Sequence, residues 1–447
     1  MKLSDLASCR RIAIWGLGKD GKETFREVRV RAPTAELLTF DESDAPVADE
    51  FAATRCSFAV ALEKLRNGEV DLLIRSPGVS VYRQEIAELR AIGIPIHTSL
   101  DLWLSTFREQ TFPIVVTGTK GKSTTSSVLD HVFRQMGVGT TLIGNIGIPV
   151  LSCSAPPEFT VIEASSYQLA DLTIGPAIGV VLNLFQEHLD WHRTKESYFL
   201  DKIRLLDLPT IQMKVACFSD EELRVRLGHR PDITWYDRLG AGFWTNDGSI
   251  MFGQDQLLHA SQIQLRGSHN LSNVCAALTI VHAKLGADPK SLVSTLPSFK
   301  PLNHRLQIVG SWRGITFVND SISTTTDSSL AAVRAFRPSP VILILGGKDR
   351  GLQFKEFLGS LQREAVKHIV FTGESGRRVF EEIKGERFSY ECSYEMNLES
   401  AVLKAVSVAT SGDSVLLSPA SPSYGEFKNF EERGELFSEL VSRIGKG

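Results

Sequence analysis

Gly118-Thr119-Lys120-Gly121-Lys122-Ser123-Thr124 concentrates more phosphate-handling chemistry than any other stretch of the sequence. Glycines let a backbone turn tightly, and a helix that starts just after them aims its free N–H groups at phosphate oxygens. Lys122 would set a cation on the β- and γ-phosphates, and Ser123 would offer its hydroxyl to Mg²⁺. The general G-x-x-x-x-G-K-[ST] pattern would need a glycine where Val116 stands, so this is a shortened variant of the phosphate loop. Glu163 and His188 each follow a short apolar run, as the loop does. A carboxylate at such a strand end can hold Mg²⁺. A lone Glu or His is ordinarily a surface residue, but the shared strand-end position favours the metal reading here. Gly16-Leu17-Gly18-Lys19-Asp20-Gly21 is a second glycine pattern, with Asp41 twenty residues beyond its last glycine. Alone it would indicate NAD. A phosphate loop in the next segment argues against a dinucleotide enzyme, and the same turn cradles any pyrophosphate.

The elements that must position these groups are short apolar strands separated by helix-length segments. Strands are expected at 11–15, 35–40 and 70–75, then at 113–116, 160–162 and 178–182. A last set lies at 315–318, 341–345, 368–371 and 414–417, with a helix at 398–406. The stretch 205–265 is mixed, with a strand-like piece at 262–265. Alternation of this kind predicts parallel sheets in α/β domains, whose ligands bind at the carboxyl ends of the strands. Three domains are expected, at 1–99, 100–300 and 301–447: Rossmann-like, P-loop ATPase-like and Rossmann-like.

Composition sets the outer limits. The 447 residues are 43% hydrophobic and 23% charged, with 49 basic and 52 acidic side chains. A net charge of −3 makes no electrostatic case for nucleic acid or an anionic membrane. Six scattered cysteines form no C-x-x-C pair, so neither a zinc site nor a disulfide framework is expected. No apolar run is long enough to span a bilayer, and no signal-peptide core follows Met1. A cytoplasmic protein is expected.

The loop 117–124 resembles that of the Mur ligase and folylpolyglutamate synthetase superfamily. Gly144-Asn145-Ile146-Gly147, Glu163-Ala164-Ser165-Ser166-Tyr167-Gln168-Leu169 and Asn183-Leu184-Phe185-Gln186-Glu187-His188-Leu189-Asp190 are similar to central-domain motifs of its glutamate-adding, MurD-type members. So are His269-Asn270-Leu271-Ser272-Asn273, Asn303-His304-Arg305, Asn319-Asp320-Ser321 and the run from Leu417-Ser418-Pro419 to Phe430-Glu431-Glu432-Arg433-Gly434. The resemblance covers nearly the whole chain in order. It implies an ATP-dependent ligase that adds D-glutamate to UDP-N-acetylmuramoyl-L-alanine through an acyl phosphate, working as a monomer in peptidoglycan precursor synthesis.

It also implies roles. Lys122, Glu163, His188 and Lys202 would form the catalytic centre, with Mg²⁺ on Ser123, Glu163, His188 and Lys202, the lysine carbamylated. Gly118, Thr119, Lys120, Gly121, Thr124, Asn270, Asn273, Arg305 and Asp320 would hold ATP. Leu17, Gly18, Lys19, Asp41, Ser76 and Gly78 would hold UDP. Asn145, Ser165, Gln168 and Phe430 would contact the substrate; Thr324, Arg350, Ser423 and Tyr424 would take glutamate. Arg350 suits a carboxylate through its planar fork.

One departure bears on the amino acid. Many MurD-type enzymes carry D-S-K-A-T where this chain has Asp320-Ser321-Ile322-Ser323-Thr324, so a lysine is missing at Ile322. That change, with Trp15–Lys22 and Asn183–His192, is similar to a divergent subgroup that adds L-glutamate, which stands as the alternative. A non-catalytic nucleotide-sugar sensor is a remoter one, against which Lys122, Glu163, His188 and Lys202 all argue. A folate ligase would lack the first glycine-rich domain.

Overall fold

The computed structural model describes residues 1–42, 49–240, 242–265 and 267–445. They form two compact units, Met1–Leu258 with Ser272–Leu296, and His259–Leu271 with Pro297–Gly447.

The first unit opens with β1 (Arg11–Trp15), β2 (Glu36–Phe40), β3 (Leu72–Arg75) and β4 (Ile96–His97), ordered β2-β1-β3-β4 and parallel. Runs such as Leu72-Leu73-Ile74-Arg75 are buried on both faces, as in a parallel sheet covered on both sides. Alternate residues feed different cores. Ile12, Ile14, Leu72 and Ile74 join one cluster, and Ala13, Trp15, Phe40 and Leu73 the other. In register, Trp15 lies between Phe40 and Arg75. Gly16, Asp41 and Ser76 therefore emerge along one edge.

The same unit then builds β5 (Phe112–Thr117), β6 (Thr140–Gly144), β7 (Phe159–Glu163), β8 (Ile178–Val181), β9 (Met213–Cys217) and β10 (Ile233–Tyr236), in the order β10-β9-β8-β5-β7-β6. All pairs are parallel. Val116 in β5 is level with Glu163 in β7 and with Val180 in β8. The phosphate loop, Glu163 and the segment after β8 thus leave the sheet on the same edge. A small sheet follows, β11 (Phe243–Asn246), β12 (Ser249–Phe252) and β13 (Asp255–His259). Residues 262–265 are not a strand. Ala260–Gln262 is a 3-10 turn, and Ile263 and Leu265 are single buried anchors beyond it.

The second unit carries β14 (Gln307–Trp312), β15 (Ile315–Asn319), β16 (Val341–Leu345), β17 (Val366–Thr372), β18 (Glu391–Glu395) and β19 (Ser414–Leu417), ordered β14-β15-β19-β16-β17-β18. The β14–β15 pair is an antiparallel hairpin, and the others are parallel. Two apolar clusters cover its faces. Helix Leu398–Val408 lies where the helical pattern placed it and buries Leu398, Ala401, Val402 and Ala405 at helical spacing. The fold is α/β, built on three mainly parallel sheets.

Candidate active site

Gly121 closes the phosphate loop with φ +84° and precedes helix Lys122–Gln135. That left-handed backbone needs glycine, and so does the space. A Cβ there would meet the Asn273 side chain at 2.3 Å. The loop is laced to the segment after β8. Thr119 N–H donates to Asn183 O at 3.0 Å and Lys120 N–H to Asn183 Oδ1 at 2.8 Å, while Asn183 Nδ2 donates to Lys120 O at 3.0 Å. Thr119 Oγ1 accepts from Phe185 N–H at 2.9 Å and from Tyr198 O–H at 3.1 Å. Lys120 pairs with Glu187 at 2.5 Å. Lys122 Nζ folds back onto the loop, donating to Gly118 O and Thr119 O at 3.0 Å each.

Lys202 comes from helix Lys195–Ile203 and is 1% exposed. Its Nζ donates to Gly118 O at 2.9 Å and sits 4.8 Å from the centre of the Tyr198 ring. Burial, reinforced by the Lys122 cation, pushes its pKa well below that of an ordinary lysine. The uncharged amine is the nucleophilic form that adds to CO₂. Glu163 is buried at the end of β7, and its Oε2 has no hydrogen-bond partner among the described residues. An orphan carboxylate oxygen beside a phosphate loop is what a cation ligand requires. His188 has φ +57° and opens the turn Leu189–His192. Burial lowers its pKa and favours the neutral, ligating imidazole. Its ring centre is 5.2 Å from that of Tyr167. No cage of three or more His, Cys, Asp or Glu exists among the described residues. The donor set is mixed: one hydroxyl on Ser123, one carboxylate, one imidazole and one lysine. Mg²⁺ commonly takes few protein ligands and completes its shell with phosphate and water, so these residues fit it.

The first glycine turn has the same economy. A Cβ at Gly21 would meet Gly16 O at 1.9 Å, so helix Lys19–Arg31 can pack this close only with glycine there. Ser76 Oγ donates to Gly16 O at 2.7 Å, and Asp41 Oδ2 accepts from Leu17 N–H at 3.0 Å. Both side chains thus shape the turn itself. Gly18 and Lys19 are exposed at the helix start, and Gly78 O accepts from Trp191 Nε1 at 3.1 Å.

Ser165 and Gln168 spend their side chains on each other. Ser165 caps Gln168 N–H, and Gln168 Oε1 accepts from Ser165 N–H at 3.0 Å. Asn145 is exposed, with its N–H on Glu163 O at 3.1 Å. Thr124 is buried in the helix. Asn270 and Asn273 are both buried on helix Ser268–Leu285.

In the second unit Asp320 is buried behind β15. Its Oδ2 accepts from Ser418 Oγ at 2.7 Å and its Oδ1 from Leu306 N–H at 3.2 Å. Burial raises its pKa to about 6. Arg305 lies between His304 and Leu306, both left-handed at φ +61° and +46°. Thr324 precedes the cap of helix Thr326–Arg334, and Arg350 is exposed on the loop after β16. Ser423 is buried, Tyr424 is 58% exposed, and Phe430 starts helix Phe430–Ile444. The loops of Arg350 and Ser423 are brought together: Lys348 N–H donates to Pro422 O at 2.8 Å, and Ser375 Oγ touches Ser421 Oγ at 2.8 Å.

Two positioning residues were given no role by the sequence. Asn183 threads the phosphate loop. Arg433, 2% exposed, donates to Ser321 Oγ and Ser321 O at 3.0 and 2.8 Å and twice to Ser421 O at 3.1 Å. Both sit inside quoted motifs, which was the only available signal.

Comparison with known proteins adds an independent line. Residues 116–281 match the Mur ligase middle domain, and residues 304–421 the Mur ligase, glutamate ligase domain. A protein of Xanthomonas euvesicatoria pv. vesicatoria named UDP-N-acetylmuramoyl-L-alanine–L-glutamate ligase is 36% identical over 99% of this chain and 97% of its own length. A protein of the same name from Salinispora tropica is 34% identical over 99% of each. Among solved structures, UDP-N-acetylmuramate–alanine ligase MurC of Thermotoga maritima superposes with a TM-score of 0.60 at 18% identity, covering 97% of this chain and 99% of that one. MurF ligase of the same organism, in complex with ADP, gives 0.59 at 18% identity, covering 99% and 100%.

Proposed function

The chain belongs to the Mur ligase family, and on that premise we propose that it joins L-glutamate to the L-alanine carboxylate of UDP-N-acetylmuramoyl-L-alanine at the expense of ATP. The observation that carries the chemistry is the meeting of Lys122 and Lys202 on Gly118 O, with Glu163, one oxygen of which has no partner among the described residues, at the neighbouring strand end. The L-hand rests on the relatives' names and on Ile322, which stands where many D-glutamate enzymes carry lysine. This departs from the D-glutamate reading that the majority activity of the type supplied.

Lys122 and the N–H groups at the start of helix Lys122–Gln135 would grip the ATP phosphates and withdraw charge from the γ-phosphoryl as it passes to the acceptor carboxylate. Lys202 would add CO₂ through Nζ with loss of a proton, turning a buried amine into a carboxylate. With Ser123, Glu163 and His188 it would then hold Mg²⁺, which neutralises charge on the transferring oxygens. ADP leaves an acyl phosphate on the acceptor. The glutamate amine attacks its carbonyl carbon, a proton is lost from nitrogen, and phosphate departs from the tetrahedral intermediate. Ser423, Thr324 and Arg350 would hold the glutamate carboxylates, and the Gly16–Gly21 turn the UDP pyrophosphate. We place the reaction in the cytoplasm, where ATP and free thiols coexist.

Phosphate release should require ATP, Mg²⁺, UDP-N-acetylmuramoyl-L-alanine and L-glutamate together, with a product heavier by one glutamyl residue. Release that ignores the acceptor, or that prefers D-glutamate, would refute the corresponding half of the reading.

A further inference from the structure

A second polar cluster lies in the first unit, and the chemistry above does not use it. His192 is completely buried. Its Nδ1 lies 2.6 Å from Asp201 Oδ2, and its Nε2 lies 2.9 Å from Ser166 Oγ. Tyr82 O–H donates to the same Asp201 Oδ2 at 2.9 Å. A proton on Nδ1 donates to the carboxylate and leaves Nε2 to accept from the serine hydroxyl, so each group is satisfied. Ser, His and Asp in this order are the parts of a hydrolase triad. Ser166, however, is only 2% exposed, so no substrate reaches it.

The cluster's use lies in what it connects. Ser166 follows Glu163 on the segment leaving β7. His192 ends the turn that His188 begins. Asp201 is the residue before Lys202. Tyr82 belongs to the loop after β3 that also carries Ser76 and Gly78. That loop is tied to the same turn a second time, through Ser80 Oγ on Trp191 O at 2.7 Å and Trp191 Nε1 on Pro77 O at 3.1 Å. Four segments therefore meet at one imidazole and one carboxylate. A fully satisfied buried network of this kind specifies a single arrangement, because any partly broken state strands polar groups away from water.

We propose that His192 and Asp201 are positioning residues that hold Lys202, Glu163 and His188 in register with the nucleotide-sugar loop 76–82. The centre that activates the acceptor carboxylate is thereby set from the loop that grips the acceptor's other end. The assignment of the two ends rests on the ligase reading above; the mechanical linkage does not.

The test compares H192A, H192N and Y82F in the full-length protein. Asparagine places an amide donor where Nδ1 was and keeps the bond to Asp201; alanine removes both bonds. Misplacing a catalytic group by about an ångström costs on the order of 10²-fold in rate. H192A should lose about that factor in kcat with KM for ATP unchanged, and H192N should recover most of it. Y82F should lower kcat by about 10-fold, and H192A/Y82F should be no worse than H192A, because both act through Asp201. Without any substrate, amide exchange in residues 195–203 should be faster in H192A than in H192N or the wild type. A soluble H192A with wild-type kcat, an H192N no better than H192A, or losses that multiply in the double variant would overturn the proposal. So would equal exchange in all variants. A wild type that fails to ligate but shows the exchange difference would overturn the ligase reading and leave the linkage standing.

Discussion

Lys122 and Lys202 donate to one and the same carbonyl oxygen, that of Gly118, at 3.0 and 2.9 Å. Full burial disfavours the charged form of Lys202, and the nearby Lys122 pushes the same way, so its pKa falls well below that of an ordinary lysine. On the proposed reading Lys122 would serve the phosphates and Lys202 would take up CO₂.

Lys122→Ala and Lys202→Ala should separate these roles. The first should remove ligation by about 10³-fold while ¹³C-bicarbonate still gives a protein carbamate resonance. The second should lose both the resonance and most of the activity. A carbamate signal that survives Lys202→Ala would move the modification to another residue.

Glu163→Gln separates function from stability. The carboxylate is buried with one oxygen unpartnered among the described residues, an arrangement that costs stability unless a cation is bound. Glutamine keeps the shape and removes the charge. Phosphate release should fall by about 100-fold or more, while the metal-free variant should melt no lower than the metal-free wild type. A clear drop in melting temperature would mean that Glu163 is held for structure.

How far the sequence reaches can be seen from the same residues. Central strands β1, β3, β5, β16 and β19 are continuous apolar runs, and their ends carry Gly16, Ser76, the phosphate loop and Ser418. Position along the chain alone sets these in place, because a parallel sheet delivers all its strand ends to one edge. Among the edges of the three large sheets only β2 was legible. β14 and β18 mix polar with apolar residues and bury none of them fully, since one flank of each meets little core. The positioning residues were hidden for another reason. Arg433 acts on Ser321, 112 residues away, and His192 acts between Ser166 and Asp201. Such partners exist only after folding. The motifs contained these residues. The spacing Ser165-x-x-Gln168 is a local capping pattern, but nothing local says that Asp41 turns to Leu17.

Asp320 gives a pH signature. Its pKa is about 6 in the folded protein, against 3.8 for an ordinary aspartate. Between these values the folded state binds a proton that the unfolded state has released. The stability this supplies is complete below about pH 4 and is lost as pH rises through about 6. Asp320→Asn cannot titrate. Its unfolding free energy relative to the wild type should therefore rise by about 2 kcal/mol between pH 4 and 7. Denaturant unfolding at several pH values reads this difference directly. A constant offset across the range would place the titration elsewhere.

On the proposed reading Arg433 would bear on glutamate without being free to touch it. Burial lowers its pKa to about 10, still far enough above neutrality to keep the fork charged. The fork joins the Ser321 segment, which leads to Thr324, to the Ser421 loop, which leads to Ser423. Lysine is a point donor and cannot span both. Arg433→Lys should raise KM for glutamate by about 10-fold while KM for ATP stays put, because only the spacing of Thr324 and Ser423 is disturbed. Arg433→Ala would leave the Ser421 carbonyl unpaired in a buried site and should cost about 2–3 kcal/mol of stability as well. Equal rises in both KM values for the lysine variant would show that the arginine supports the whole second unit, and that the two loops do not depend on it for their separation.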